Sequence, residues 1–441
     1  MTTAAPQPPA IFPARDPIRA TEPINPHTYQ QVRRSLMLNH CKWDSQVGDV
    51  CTLAPFALIL SRTTWQALCR DTEDLACEAL AAEGELLQRP ILLRKLGLPS
   101  RIRRTVAGAR WNSHQVASSA QLPRIVRFDF HWTTDGWQIS EANADVPGGF
   151  SESSALAALM APHVAGAQPL GNPAERWADA IERAAGGPAA NVALLAAPGH
   201  LEDQQVISYL AQILSHHGLR PHLCGPNNLQ LGSNTKATLR RNNRTIELDL
   251  LVRFFQAEWL ASLPHRKGWP LLFAPMTATI VANPATTTLI ESKRFPLVWN
   301  ELHTPLTAWL RLLPPTFDPR QVDWCRDDRW ILKAAFSNTG DSVVCPASAD
   351  RAWKILSHNK VACRSARWRP GIWAAQQRFE TRAIDTPAGR MFPCIGVYTV
   401  NGKVAGAYGR LSPAPLIDFT AIDVAVMVEN NNGDSPNDST A

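Results

Sequence analysis

Lysine is scarce in this chain. Nine lysines stand among 44 basic residues, so arginine carries most of the positive charge. A lysine in an apolar setting is therefore informative, because a buried ammonium must meet an anion or give up its charge. Cysteine occurs nine times, never as Cys-x-x-Cys. The odd count and irregular spacing argue against a disulfide framework and against a zinc site. They read instead as reduced thiols of a cytoplasmic protein. No apolar run approaches the ~20 residues of a membrane span, so no membrane association is expected. The opening MTTAAPQPPAIFPARDP has no hydrophobic h-region, so no signal peptide is expected there. A net charge of +6 is a mild bias. Together with the arginine-rich SRIRRTVAGAR it is the whole case for nucleic-acid binding, and that segment reads as a solvated helix face.

A chain of 441 residues, 45% hydrophobic and 19% charged, suits a globular protein of two or three packed units. Residues 1–27 and 429–441 are expected as flexible tails. Residues 28–170 read as a helical segment followed by a hairpin, with helical spacing running through FALILSRTTWQALCRDTEDLACEALAAEGELLQ. Within 186–285, NVALLAAPG predicts a strand, HLEDQQVISYLAQILSHHG a helix ending at Gly218, and LRPHLCG the next strand. That order is a Rossmann-like βαβ unit. RNNRTIELDLLVRFFQ adds a hairpin and a buried strand. Residues 286–428 alternate strands around a glycine-containing loop at 336–342.

The richest stretch is VRFDFHWTTDGWQISEANADVPGGFSES, residues 126–153. Asp135-Gly136 between two alternating runs predicts a hairpin. Residues two apart share a face of a strand, so Asp129 on one arm can converge with Glu141 and Asn143 on the other. Such hard oxygens suit magnesium, which completes its shell with water and phosphate. Taken singly, the same residues are also ordinary in turns and edges. Ser151 is expected to cap a helix that carries Glu152 in its first turn. Lys333, inside WILKAAF, needs an anion. The following FSNTGDSV loop, with Gly340, can offer backbone N–H groups to phosphate. Lys293 is expected at the start of a helix, where it either meets phosphate or covers surface. Gln376 near the end of GIWAAQQRF and Arg410 in AGAYGRLS suit a nucleotide hinge and an anion, or else the surface.

Together these pieces resemble the ATP-grasp ligases, specifically the synthetase domain of the glutathionylspermidine synthase family, over about residues 120–428. The motifs are RFDF…DG…EANAD, FFQAEWL, NP…ESKRFPLVW, WILKAAFSNTG, AAQQRF and GAYGRLS. The acidic motif precedes the lysines, as in this family's permuted arrangement. The resemblance implies an α/β fold in which a permuted ATP-grasp module packs with a Rossmann-like pre-ATP-grasp domain and an N-terminal helical segment. It implies ATP and magnesium as cofactors, with Asp129, Glu141 and Asn143 as metal ligands and Arg127 beside the triphosphate. It further implies Lys293, Lys333, Gln376 and Gly340 on the nucleotide and Arg410 on the transferred phosphoryl group. Glu152 and Glu258 then belong to the substrate pocket. The implied activity is carboxylate–amine ligation of small molecules such as an amino acid, a peptide or a polyamine. Val146-Pro147-Gly148-Gly149-Phe150 stands where glutathione-binding members carry small polar and thiol residues, which points to a different substrate. The amidase domain of some members has no counterpart in the sequence. The alternative is a nucleotide-binding scaffold that has lost turnover.

Overall fold

The computed structural model describes residues 16–430 except 48–49, 233–234, 266–267, 275–277, 338–342, 346–359 and 419. Gly340 lies outside the described residues. Among the described residues the largest sheet has nine strands. Its main path runs Ile18–Ala20, Leu53–Leu60, Ile422–Glu429, Lys403–Ser412, Gly389–Val400, Ile125–Thr133 and Gly136–Asn143. The Leu53–Leu60 and Ile422–Glu429 strands pair in parallel. The other neighbours on this path are antiparallel.

Both faces of this sheet are covered, which explains the apolar run in Leu53–Leu60. Ala54, Phe56, Leu58 and Leu60 pack in the core shared with Leu68, Leu75 and Leu86 of the helix Arg62–Gln88. Leu53, Ala57 and Ile59 face the opposite core, beside Trp177 and Ile181 of the helix Pro173–Ala185. The sequence reading made this segment helical. A strand buried on both faces has no period-2 polarity to separate it from a helix. The boundary is chemical: Ser61 accepts a hydrogen bond from the Thr64 N–H at 3.2 Å and caps the helix that follows. A second correction concerns the expected tail, since Ile18–Ala20 pairs with Leu58–Leu60 and a helix begins at Pro26.

The hairpin forms as expected, with Gly136 at φ 97° in its turn. Phe128 and Phe130 are fully buried against the Arg62–Gln88 side. Burial of each contributes roughly 1.5–3 kcal/mol and fixes which face of the hairpin turns away from that core. Arg127, Asp129 and His131 therefore share the other face.

A four-stranded parallel sheet runs Ile280–Ala282, Leu250–Phe254, Asn191–Ala196 and Arg220–Cys224. The helix Leu201–His216 makes the crossover between the last two. This is the expected βαβ unit, and its strands point their carboxyl ends at the hairpin, where ligands of such sheets bind. Two buried residues stitch the units together. Asn283 Oδ1 accepts from the Ile125 N–H at 2.8 Å, and its Nδ2 donates to the carbonyls of Ile125, Ala144 and Asp145. Arg253 pairs with Asp145, the last acid of the E-x-N-x-D string, and donates to the Phe255 carbonyl at 2.7 Å. Asp145 also accepts from the Ala257 N–H at 2.7 Å, so this acid holds the fold.

A smaller antiparallel sheet orders Thr316–Phe317, Trp373–Gln377, Trp330–Ala334 and Val343–Val344. It presents Lys333 to the hairpin. Among the described residues no helix is long and apolar enough to cross a membrane.

Candidate active site

Asp129 stands directly opposite Glu141, and Arg127 opposite Asn143, in the hairpin register. An irregularity after Asp129 leaves Ser140 as an extra residue on the second arm. Asp129 collects four donors. Arg127 donates through Nε at 2.7 Å and Nη2 at 3.0 Å, Asn143 Nδ2 at 3.1 Å and Arg410 Nη2 at 3.2 Å. Burial would raise this carboxyl, but the two guanidiniums outweigh it and hold it at about 2. Asn143 spends its amide N–H on Asp129, which leaves its amide oxygen for a cation.

Glu141 lies 3.2 Å from Lys293 Nζ. Burial again acts to raise the carboxyl, and Lys293 and Lys333 reverse it, so Glu141 stays below the ordinary range. Lys293 also lies 3.6 Å from Glu291, whose Oε2 accepts from the backbone N–H groups of Ala144 and Asp145. Lys293 sits between the short helix Thr288–Glu291 and the 3-10 turn Phe295–Glu301, and so does not open a helix. Its own N–H donates to the Ala335 carbonyl at 2.9 Å. Lys333 donates to the Ser140 carbonyl at 2.9 Å. It has no carboxylate in ion-pair contact among the described residues, and burial brings its ammonium down to about 8. A lysine in that state gains most from an incoming phosphate.

Gln376 lies in the ladder between Thr316 and Ile331. Its backbone is thus inside the sheet, and its side chain faces a small pocket shared with Lys293 and Glu141. Gln376 Oε1 is buried without a hydrogen-bond partner among the described residues, so it can accept from a ligand N–H.

Asp129, Glu141, Asn143, Arg127, Lys333 and Arg410 line a cavity of about 760 Å³, whereas Lys293 and Gln376 line the small pocket instead. Arg127, Lys333 and Arg410 crowd one end. The lining also holds the carboxylates Glu202, Asp203 and Glu258 from the Rossmann-like unit, Glu152, Asp44 and Asp423 beyond the Tyr408 ring, and apolar side chains such as Phe254, Trp259 and Ile331. Burial and the neighbouring Asp145 push Glu258 up to about 8, so it is largely protonated at neutral pH. The Asp145–Phe150 loop folds back over the site, where the Gly148 carbonyl accepts from Arg127 Nη1 at 3.2 Å and from the Tyr398 hydroxyl.

Glu152 differs from expectation. Ser151 donates its hydroxyl to the His40 carbonyl at 2.6 Å and caps nothing. The segment Ser151–Leu156 is a π-helical turn. Glu152 is paired with Lys42. Burial and the carboxylates Asp423 and Asp44 raise it despite that lysine, the reverse of the lowering that a helix N-terminus would give.

His131, Lys42, Tyr408 and Asp423 were not singled out from sequence. His131 had a signal, because Arg127, Asp129 and His131 alternate on one strand face. Its Nε2 lies 3.1 Å from Ser140 Oγ, and burial lowers the imidazole to about 4. Lys42 had none, since NHCKWD is polar and lies far from the hairpin in sequence.

Gly396 faces Asp129 across the neighbouring strand. An added Cβ would lie 2.6 Å from Arg127 Cδ and 2.9 Å from Asp129 Oδ1. Gly396→Ala is therefore expected to dislodge the Arg127–Asp129 pair and, on the activity that the sequence resemblance implies, to lower ATP turnover at least about tenfold. Steady-state kinetics beside a far-UV spectrum checks this, and unchanged kinetics would mean the pair has slack.

A glutathione synthetase-like effector from Globodera pallida, in its apo form, shares this fold. The TM-score is 0.59 at 11% identity, covering 91% of this chain and 96% of that one. A protein provisionally named gamma-glutamylcysteine synthetase, from Methylobacillus flagellatus, covers 75% of this chain and 85% of its own at 12% identity, with a TM-score of 0.38. At such identity the first likeness speaks for the fold alone. No curated protein matches the sequence. The sequence pattern of one family matches residues 53–429, and on that match the chain belongs to the glutathionylspermidine synthase preATP-grasp family.

Proposed function

We propose that the protein is an ATP-dependent carboxylate–amine ligase acting through an acyl phosphate. One observation carries the reading: Asp129, Glu141 and Asn143 share a hairpin face beside Arg127, Lys293, Lys333 and Arg410, and all of these but Lys293 line one cavity together with the carboxylates Glu152, Glu202, Asp203 and Asp423. The donor set is all oxygen, as magnesium prefers. Magnesium held there would supply positive charge to the phosphate oxygens during transfer. Lys333, Arg127 and Arg410 neutralise the triphosphate and keep it in line, which is most of what phosphoryl transfer needs. Lys293 and Gln376 take the nucleotide side. The substrate carboxylate attacks the γ-phosphorus and the bond to the β-phosphate oxygen breaks, releasing ADP. The amine nitrogen then attacks the acyl carbon, phosphate leaves, and a rim carboxylate takes the proton. We assign the clamp to 28–170, the lining acids Glu202, Asp203 and Glu258 to 186–285 and the nucleotide lysines to 286–428.

The test is a trap. With ATP, magnesium, hydroxylamine and a panel of amino acids and peptides as carboxylates, the productive acid should give a hydroxamate together with ADP. ATP binding with no ADP across the panel would leave a nucleotide-binding protein without ligase activity.

A further inference from the structure

Lys42 has a setting that the ligase reading does not require. Its ammonium is buried and in contact with three carboxylates: Glu152, Asp44 at 2.8 Å and Asp423 at 2.9 Å. Asp423 also accepts from the Tyr408 hydroxyl at 2.6 Å. All five residues line the cavity. An ammonium has three N–H donors, so Lys42 has one for each carboxylate. With every carboxylate ionised the group sums to two negative charges, and without Lys42 to three.

The place is close to the chemistry. Arg127 and Arg410 stack over the Tyr408 ring at 5.3 and 5.6 Å, while the hydroxyl of that ring reaches into the Lys42 cluster. A single aromatic ring thus separates the arginines assigned to phosphate from the carboxylates that hold Lys42. Gly149, at φ 87°, lets the loop close on this wall, since a Cβ there would lie 2.9 Å from the Tyr398 hydroxyl. An alkylammonium surrounded by carboxylates, one ring away from a prospective acyl phosphate, has the chemistry of an acceptor amine bound for ligation. Here the chain supplies that ammonium itself.

We propose that Lys42 is a specificity-determining residue whose ammonium stands in for one cationic group of a longer acceptor. With Lys42 in place, the acceptor amine is held by the remaining carboxylates and a linear diamine is disfavoured. Without it, the Asp44–Glu152–Asp423 subsite opens to a second ammonium. The role in ligation rests on the ligase reading, but the existence of the subsite does not.

Lys42→Ala removes the ammonium together with three methylenes, a gap that n-propylammonium matches. The variant should melt lower than the unchanged protein. It should regain several degrees in n-propylammonium chloride, saturably, and nothing in n-propanol at equal concentration and ionic strength. The unchanged protein should gain nothing beyond the effect of salt. Equal gains in both proteins, a gain from propanol, or no gain in a folded variant would overturn the proposal. Should Lys42→Ala not fold, Lys42→Met keeps the stem, and calorimetry with butane-1,4-diammonium should show binding absent from the unchanged protein. Binding equal in the two would overturn it. In turnover, Lys42→Met should raise kcat/KM for butane-1,4-diamine relative to n-butylamine at least about tenfold; an unchanged ratio with both amines accepted contradicts the specificity role. Loss of ADP formation with every acceptor in the unchanged protein would instead count against the ligase reading, and the amine-rescue melts would still decide the subsite.

Discussion

Glu141→Gln is expected to lower magnesium-dependent ATP turnover at least about tenfold, ~1.4 kcal/mol of barrier, and to raise the magnesium concentration that half-saturates it. The substitution keeps shape and removes one of the two carboxylates of the clamp. It also takes the counter-charge from Lys293, 3.2 Å away, and leaves Lys333 without its largest favourable charge. The apo protein should therefore lose some stability as well, so kinetics belong at a temperature where the variant is fully folded. The shift in magnesium dependence separates the two effects, because a merely looser fold would lower activity at all magnesium concentrations alike. Unaltered turnover and unaltered magnesium dependence would remove the hairpin from the metal site.

The largest stability effect should come from Arg253→Met. Arg253 is 1% exposed and Asp145 3%. Truncating one member of a buried ion pair strands the other charge, at about 3–5 kcal/mol. Here it would also loosen the carbonyls of Phe255 and Asn283, which accept from Arg253. Urea unfolding should show the midpoint falling. Adding Asp145→Asn to Arg253→Met should recover part of the loss, since no uncompensated charge remains. A midpoint that does not move would mean that Asp145 is solvated and the two units are not joined through it. Asp145 belongs to the same string as Glu141 and Asn143, yet its role is to hold the parallel sheet onto the hairpin.

The hairpin and its convergent oxygens were legible because they are local. A period of two and a glycine at the turn suffice to place the two arms side by side, but that register alone would set Asp129 opposite Ser140, and the irregularity after Asp129 is what brings it opposite Glu141. The βαβ unit was legible for the same reason, from a strand, an amphipathic helix and Gly218. Leu53–Leu60 was not, because a strand covered on both faces loses the alternation that identifies it. Glu152 was misjudged for a different reason. Helix-start logic uses only neighbours in sequence, and what sets its environment is Lys42, 110 positions earlier, with Asp423 at the far end of the chain. The arrangement around Lys333 was half visible: an apolar strand containing one lysine calls for an anion, but the Ser140 carbonyl that meets it depends on the irregularity in the hairpin.

On the proposed function, this hairpin face is where metal and nucleotide meet. Crystals grown with manganese and a non-hydrolysable ATP analogue test it directly through the anomalous signal of the metal. One or two peaks are expected within bonding distance of oxygens from Asp129, Glu141 and Asn143, with the triphosphate against Lys333, Arg127 and Arg410 and the base on the side of Lys293 and Gln376. A metal peak elsewhere, or a nucleotide bound with these three residues untouched, would contradict it.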